Sequence, residues 1–208
     1  MILNSVSGQN LNGKWLLKDI NSGDGNKGYP GFQMLEINDK SAEFFTEFSL
    51  EKKVSNLKLV KGKILTTKNG IFAKYKIINE NHLRLFIDGK SNDKDAVFEY
   101  DFYRLMPTIT TLKKEEIEKI TFLFKESETN TSEFKFNIEL MDAEILKLMK
   151  KKEGHKMLIE KIDSTLFIGN YHSGKRDVSF PIKEVTREFI TLYAIPTGPM
   201  ELTAYRKE

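Results

Sequence analysis

Residues 96–105 read Ala96-Val97-Phe98-Glu99-Tyr100-Asp101-Phe102-Tyr103-Arg104-Leu105, with an aromatic ring at every second position from Phe98 to Phe102. A period of two puts Phe98, Tyr100, Phe102 and Arg104 on one face of an extended strand, with Glu99 and Asp101 on the other. The same alternation occurs in Ala42, Phe44, Thr46 and Phe48. Further runs rich in aromatic or β-branched residues cover 14–19, 32–37, 57–60, 64–67, 71–78 and 83–87. Between them stand turn formers: Asn38-Asp39, Lys61-Gly62, Asn69-Gly70, Asn79-Glu80-Asn81 and the polar stretch 88–95. Eight short strands in succession predict an antiparallel meander, and eight is a number that closes into a barrel.

The character of the chain changes at 106–111, where Pro107 and a cluster of threonines mark a junction. A short helical stretch over 113–119 leads into an apolar run over 120–124. Phe134, Phe136, Ile138 and Leu140 then alternate with polar residues as a half-buried strand does. Met141, Ile145, Leu148 and Met149 recur at helical spacing, with Asp142 placed to cap and Gly154 placed to stop, which predicts one substantial helix near 142–153. Strand patterns resume over 156–162, 165–171, 178–183, 188–194 and 200–206. The expected fold is therefore mainly β: a meander barrel over 11–105, followed by a second β-rich domain over 112–208 carrying one helix. The halves end alike, Leu83-Arg84-Leu85 and Tyr103-Arg104 matching Ile190-Thr191-Leu192 and Tyr205-Arg206. A diverged repeat and coincidence both fit, because hairpins of any β protein share this alternation.

Composition removes several function classes. The 208 residues include 15 Phe and are 39% hydrophobic, enough apolar surface to build a core. The 33 basic and 30 acidic side chains are interleaved, giving a net charge of +3, so a mixed solvated surface is expected and no nucleic-acid partner. The run of Lys147, Lys150, Lys151 and Lys152 reads as a solvated helix end. Cysteine is absent, which closes the routes to disulfides, thiolate nucleophiles and Cys-ligated metals. The first fifteen residues lack the basic and apolar regions of a signal peptide, and no later segment approaches the ~18 apolar residues of a membrane span. A cytoplasmic location is the default expectation; an exported chain with its signal removed has the same appearance.

Leu11-Asn12-Gly13-Lys14-Trp15 at the first strand, the eight-strand meander, and Tyr103-Arg104-Leu105 at its end resemble the lipocalin-like domains common in bacteria. In that family the tryptophan of Gly-x-Trp packs across the closed end of the barrel under an arginine from the last strand. The matching positions here are Gly13, Trp15 and Arg104, and a guanidinium over an indole face suits a barrel floor. The resemblance covers the first half of the chain only. No Thr-Asp-Tyr signature is present, the second half lacks Gly-x-Trp, and the strands are shorter than in secreted lipocalins, which implies a small or collapsed interior. What the resemblance implies is a cavity for a small hydrophobic ligand, or a barrel reused for contacts with a protein partner.

Candidate ligand-wall residues are Phe44, Phe48, Tyr75, Phe98, Tyr100 and Phe102, with plain core as the alternative reading of aromatics at strand period. Other motifs fail on context. Gly23 to Gly28 spells the dinucleotide fingerprint, but Tyr29-Pro30-Gly31 leads into a strand where the pyrophosphate needs a helix. Asp19, Asn21 and Asp24 lack the spacing and closing Glu of a calcium loop. Gly169 to Lys175 approaches a P-loop, but Arg176 stands where a magnesium-binding Ser or Thr belongs, and a hairpin turn is expected instead. His82 is expected in a solvated hairpin turn, and neither His155 nor His172 has a partner at metal-ligand spacing. The sequence therefore predicts no metal, no cofactor and no catalysis. Its leading function is binding of a small apolar ligand in the barrel. The alternative is a protein-interaction module, such as a toxin-neutralising or assembly-accessory protein, and an enzyme built around Tyr171 to Arg176 comes third.

Overall fold

The computed structural model describes residues 10–22, 27–51, 53–60, 64–68, 70–91, 93–125, 131–138 and 154–208. The chain forms two compact units, Met1–Leu105 and Met106–Glu208.

The first unit contains β1 (Gly13–Asn21), β2 (Lys27–Gly28), β3 (Met34–Asn38), β4 (Ser41–Phe45), β5 (Lys53–Val60), β6 (Ile64–Thr67), β7 (Gly70–Asn79), β8 (His82–Ser91) and β9 (Lys94–Arg104). From β3 onward each strand pairs with the next, and β9 returns to β1 through Trp15 opposite Arg104, Leu17 opposite Phe102 and Ile20 opposite Tyr100. Eight antiparallel strands thus close into a barrel, and two-residue β2 pairs beside the upper part of β1. Closure leaves no long free edge among these strands, which removes the unpaired amides that invite aggregation.

The barrel interior packs as one cluster of buried and half-buried side chains. Trp15, Leu17, Leu35, Ile37, Leu83 and Phe102 are buried in a single cluster with Leu57, Leu65, Ala73 and Leu85. Phe44, Phe72, Tyr75, Ile77, Ile87 and Tyr100 pack against that cluster but are only half-buried. The period-two pattern explains most of this: Leu83, Leu85 and Ile87 on β8 stand opposite Phe102, Tyr100 and Phe98 on β9. An irregularity between β6 and β7 leaves Phe72 as an extra residue on β7. Its ring meets Phe44, with centroids 5.9 Å apart.

One expected strand is shorter than its sequence pattern. The 42–48 alternation ends at Phe45, because Thr46–Ser49 bends and turns, Leu50 N–H donates to Glu47 O at 3.2 Å, and Leu50 takes φ 58°. Phe48 therefore lies off the strand, its ring edge-on to Phe32 at 5.4 Å.

The second unit begins with an extended segment whose Ile109 bridges Glu184 in parallel. Next come α1 (Lys114–Ile117), with Lys113 N–H donating to Glu116 Oε2 at 3.0 Å, then β10 (Phe122–Lys125) and β11 (Thr131–Phe134). β12 (Lys156–Ile162), β13 (Thr165–His172), β14 (Lys175–Val185), β15 (Phe189–Tyr193) and β16 (Glu201–Arg206) complete it. The sheet order is β11-β10-β16-β15-β14-β13-β12, a curled half-barrel. Its core gathers Ile117, Phe122, Phe136, Ile159, Ile168, Ile182, Ile190 and Leu192. Phe136 is buried although it lies beyond β11, its neighbour Asn137 donating to Met157 O at 2.9 Å. Ser173 and Gly174, with φ 47° and 73°, make the two-residue hairpin expected in place of a P-loop. The helix expected near 142–153 lies outside the described residues. Among those described, no helix is long and apolar enough to cross a membrane.

Candidate functional site

The closed end of the barrel is built around Trp15. Its indole N–H donates to Leu11 O at 2.8 Å, and the Arg104 guanidinium carbon stands 4.2 Å from the ring centroid. Arg104 also donates to the carbonyls of Glu80 (3.0 Å), Asn12 (2.6 Å) and Asn10 (2.6 Å). A planar fork with its charge spread over three nitrogens can serve several acceptors while lying flat on an indole, which an ammonium cannot. Gly13 allows the approach. Its φ of 125° suits glycine, and a Cβ there would come within 3.0 Å of Arg104 Nη1.

Further along the interior, half-buried apolar side chains line the barrel. Tyr75 on β7, Leu85 on β8, Tyr100 on β9 and Ile20 on β1 follow one another in register, so they share one rung of the interior. One rung outward, Ala73, Ile87 and Phe98 belong to the same face, and Gly89 makes room for Phe98, because a Cβ there would come within 2.8 Å of its ring. Burial raises the ionisation of both Tyr75 and Tyr100 above the ordinary phenol value. Among the described residues neither hydroxyl has a hydrogen-bond partner.

Of the six ligand-wall candidates, the fold brings Phe44, Tyr75, Phe98 and Tyr100 to the half-buried part of the interior. Phe102 is 0% exposed and belongs to the floor packing. Phe48 sits on the connection after β4 and not on a strand. Sequence reasoning missed Ile20, Phe72 and Ile87 as lining residues. Ile87 was legible from its i+2 spacing to Leu85, whereas the bulge that marks out Phe72 left no trace in the pattern.

A polar cluster occupies the outer face of β8 and β9. His82 Nε2 lies 2.6 Å from Asp101 Oδ1, and Arg84 forks onto the same carboxylate through Nε at 2.8 Å and Nη2 at 3.0 Å. Burial alone would raise Asp101, but the hydrogen bonds from His82 and Arg84 overcome it and hold the carboxyl at about 2. Arg84 also reaches Glu99 at 2.7 Å, and Tyr103 stacks on the His82 ring at 4.4 Å. The solvated turn expected for His82 is thus overturned: the residue is 9% exposed and held by a partner nineteen positions away. Opposite Asp101 on β1, buried Asp19 pairs with Lys18 at 2.7 Å and Lys27 at 3.4 Å.

In the second unit Glu160, Tyr171, Arg176 and Ser179 form one network. Arg176 donates to Glu160, Ser179 and Tyr171, and the Tyr171 hydroxyl donates to Glu160 Oε1 at 2.9 Å. Burial, then that hydrogen bond, pushes the Tyr171 phenol up to about 12. Nearby, His172 Nδ1 is 3.4 Å from Asp177 Oδ2, and the His155 ring lies 5.2 Å from that of His172. Among the described residues no three His, Cys, Asp or Glu side chains are grouped to hold a metal ion. A surface concavity of about 650 Å³ lies along β10 and β16, lined by Leu123, Lys125, Thr203, Tyr205, Arg206, Lys207 and Glu208. No protein-family model matches this chain, and no curated protein matches it either.

Proposed function

We propose that this is a non-catalytic binding protein whose barrel accepts a small, largely apolar ligand in the cup between Tyr75, Ile87, Phe98 and Tyr100. The observation that carries the reading is the incomplete burial of the interior aromatic rings. A barrel serving only as structure can bury all of its interior rings, whereas here Phe44, Tyr75 and Tyr100 stay half-buried and, among the described residues, the two phenols have no hydrogen-bond partner. The solid floor sets the scale, because Phe102, Leu83 and Leu17 leave depth for a small molecule and not a long chain. The polar clusters support binding without chemistry, since His82, Asp101 and Arg84 satisfy one another, as do Glu160, Tyr171 and Arg176.

A second reading, a protein-interaction module, is favoured by the exposed apolar residues on the barrel strands. Ile71 is 63% exposed and Val97 49%. Native mass spectrometry of protein purified gently from its own host separates the two. A small adduct lost on denaturation supports the cup; a stoichiometric protein with no small adduct sinks it in favour of the module.

A further inference from the structure

Tyr75 and Tyr100 flank Leu85 on one rung, so their Cα atoms stand two strand spacings apart, about 10 Å, with both side chains turned into the same interior. A phenol that packs its ring and leaves its O–H unpaired in a half-buried space is satisfied only by what fills that space. As phenols, raised further by burial, both hydroxyls are protonated across neutral pH and hence donors. Among the described residues of β7, β8 and β9, no charged side chain shares this level of the interior face. On the interior face of β9 the nearest basic residues are Arg104, committed to three carbonyls at the floor, and Lys94, six residues or about 20 Å from Tyr100 toward the rim. The interior neighbours of the two phenols on β7 and β8 are Ala73, Ile77, Leu83, Leu85 and Ile87. A carboxylate brought here would lose its hydration without a countercharge.

We propose that the ligand of this cup is an uncharged molecule with an apolar body and one carbonyl-type oxygen, and that this oxygen accepts hydrogen bonds from Tyr75 and Tyr100. The proposal rests on the reading of the cup as a binding site and narrows it to a chemical class. Two donors approaching from adjoining walls match the two lone pairs of one carbonyl oxygen. With no cation on the described interior faces of β7 and β8 near the phenols, and Lys18 on β1 already paired with Asp19, fatty acids and other organic anions are disfavoured.

The test is displacement of N-phenyl-1-naphthylamine, an uncharged fluorophore, from the full chain by 2-nonanone, 1-nonene and octanoate at neutral pH. Tyr75→Phe and Tyr100→Phe are compared with the parent, each alone, so that one variant failing to fold leaves the other decisive. The expected result is a loss of ketone affinity of about fivefold per hydroxyl removed, the worth of one ordinary hydrogen bond, with the affinity for the alkene and the fluorophore unchanged. Octanoate is expected to displace nothing where the ketone saturates. Ketone binding that ignores both substitutions, or octanoate binding as well as the ketone, overturns the proposal while leaving the cup in place. A fluorophore that does not bind at all removes the cup and the proposal together.

Discussion

The guanidinium of Arg104 lies over the face of Trp15, 4.2 Å from its centroid, while its nitrogens take the carbonyls of Asn10, Asn12 and Glu80. The two residues sit opposite each other across the β1–β9 seam, so this stack fastens the place where the barrel closes. Arg104→Lys keeps the charge but loses the fork, and is expected to cost about 2 kcal/mol; Arg104→Ala, which also uncovers the indole, about 3 kcal/mol. Urea unfolding followed by the fluorescence of the single tryptophan reads both. A lysine variant as stable as the parent would show that the fork adds nothing to the plug.

Gly13 and Gly31 separate two effects of a missing side chain. Both have positive φ, 125° and 106°, but only at Gly13 would a Cβ also press on a neighbour, Arg104 Nη1. Gly31→Ala is expected to cost about 1 kcal/mol of backbone strain, and Gly13→Ala about 2 kcal/mol or more. Equal midpoints in thermal melts of the two variants would contradict this.

Asp101 predicts a dependence on acid. Its folded pKa of about 2 lies below the ordinary carboxylate value near 3.8, so its contribution is full above that value and is lost as pH falls toward 2. The contribution is about 2 kcal/mol at most. Stability of the parent is expected to drop across this window, and Asp101→Asn, weaker at neutral pH, is expected to drop less there. Parallel acid titrations of the two proteins are incompatible with this role.

Tyr171 and Tyr193 predict the alkaline counterpart. Burial raises both phenols to about 12, against a weaker lowering of Tyr193 by the Met106 N–H that donates to its oxygen at 2.9 Å. Because the folded value is the higher one, their stabilisation is complete below pH 10 and is lost as pH rises through 12. Of the seven tyrosines, two are expected to ionise late in absorbance at 295 nm, and each single Phe variant should remove one of them. An unchanged late step in both variants would place it elsewhere.

Phe98 and Val97 are neighbours on opposite faces of β9. Phe98→Glu puts a charge in the cup and is expected to weaken an apolar fluorophore at least about tenfold. Val97→Glu, on the exposed face, is expected to leave binding within about twofold. Fluorescence titration of both variants checks this, and equal effects would move the site off the interior.

The barrel was legible because its strands alternate and its turns carry their own chemistry: Asn38-Asp39 and Asn79 to Asn81 fall where β3–β4 and β7–β8 reverse. Strand ends were less legible. Nothing in the alternation from Ala42 to Phe48 shows that the chain turns at Thr46, since that is fixed by Leu50 reaching back to Glu47. Pairings across strands were invisible for a different reason. The partner of His82 is Asp101, and only the register of β8 against β9 brings them together, so a histidine just after a turn read as solvated. The aromatic part of the interior was half legible: Tyr75, Phe98 and Tyr100 follow the period, but how deeply each is buried depends on how the ring of strands fills.

The seam between β1 and β9 also orders events in time. Arg104 reaches a carbonyl 92 positions earlier in the chain, whereas every other pairing in the barrel wall joins near neighbours in sequence. Hairpins can form early at little entropic cost, but the ring stays open until its last strand finds its first, the contact with the longest loop to close. Trp15, covered by Arg104 only once that seam has formed, thus reports the completion of the barrel.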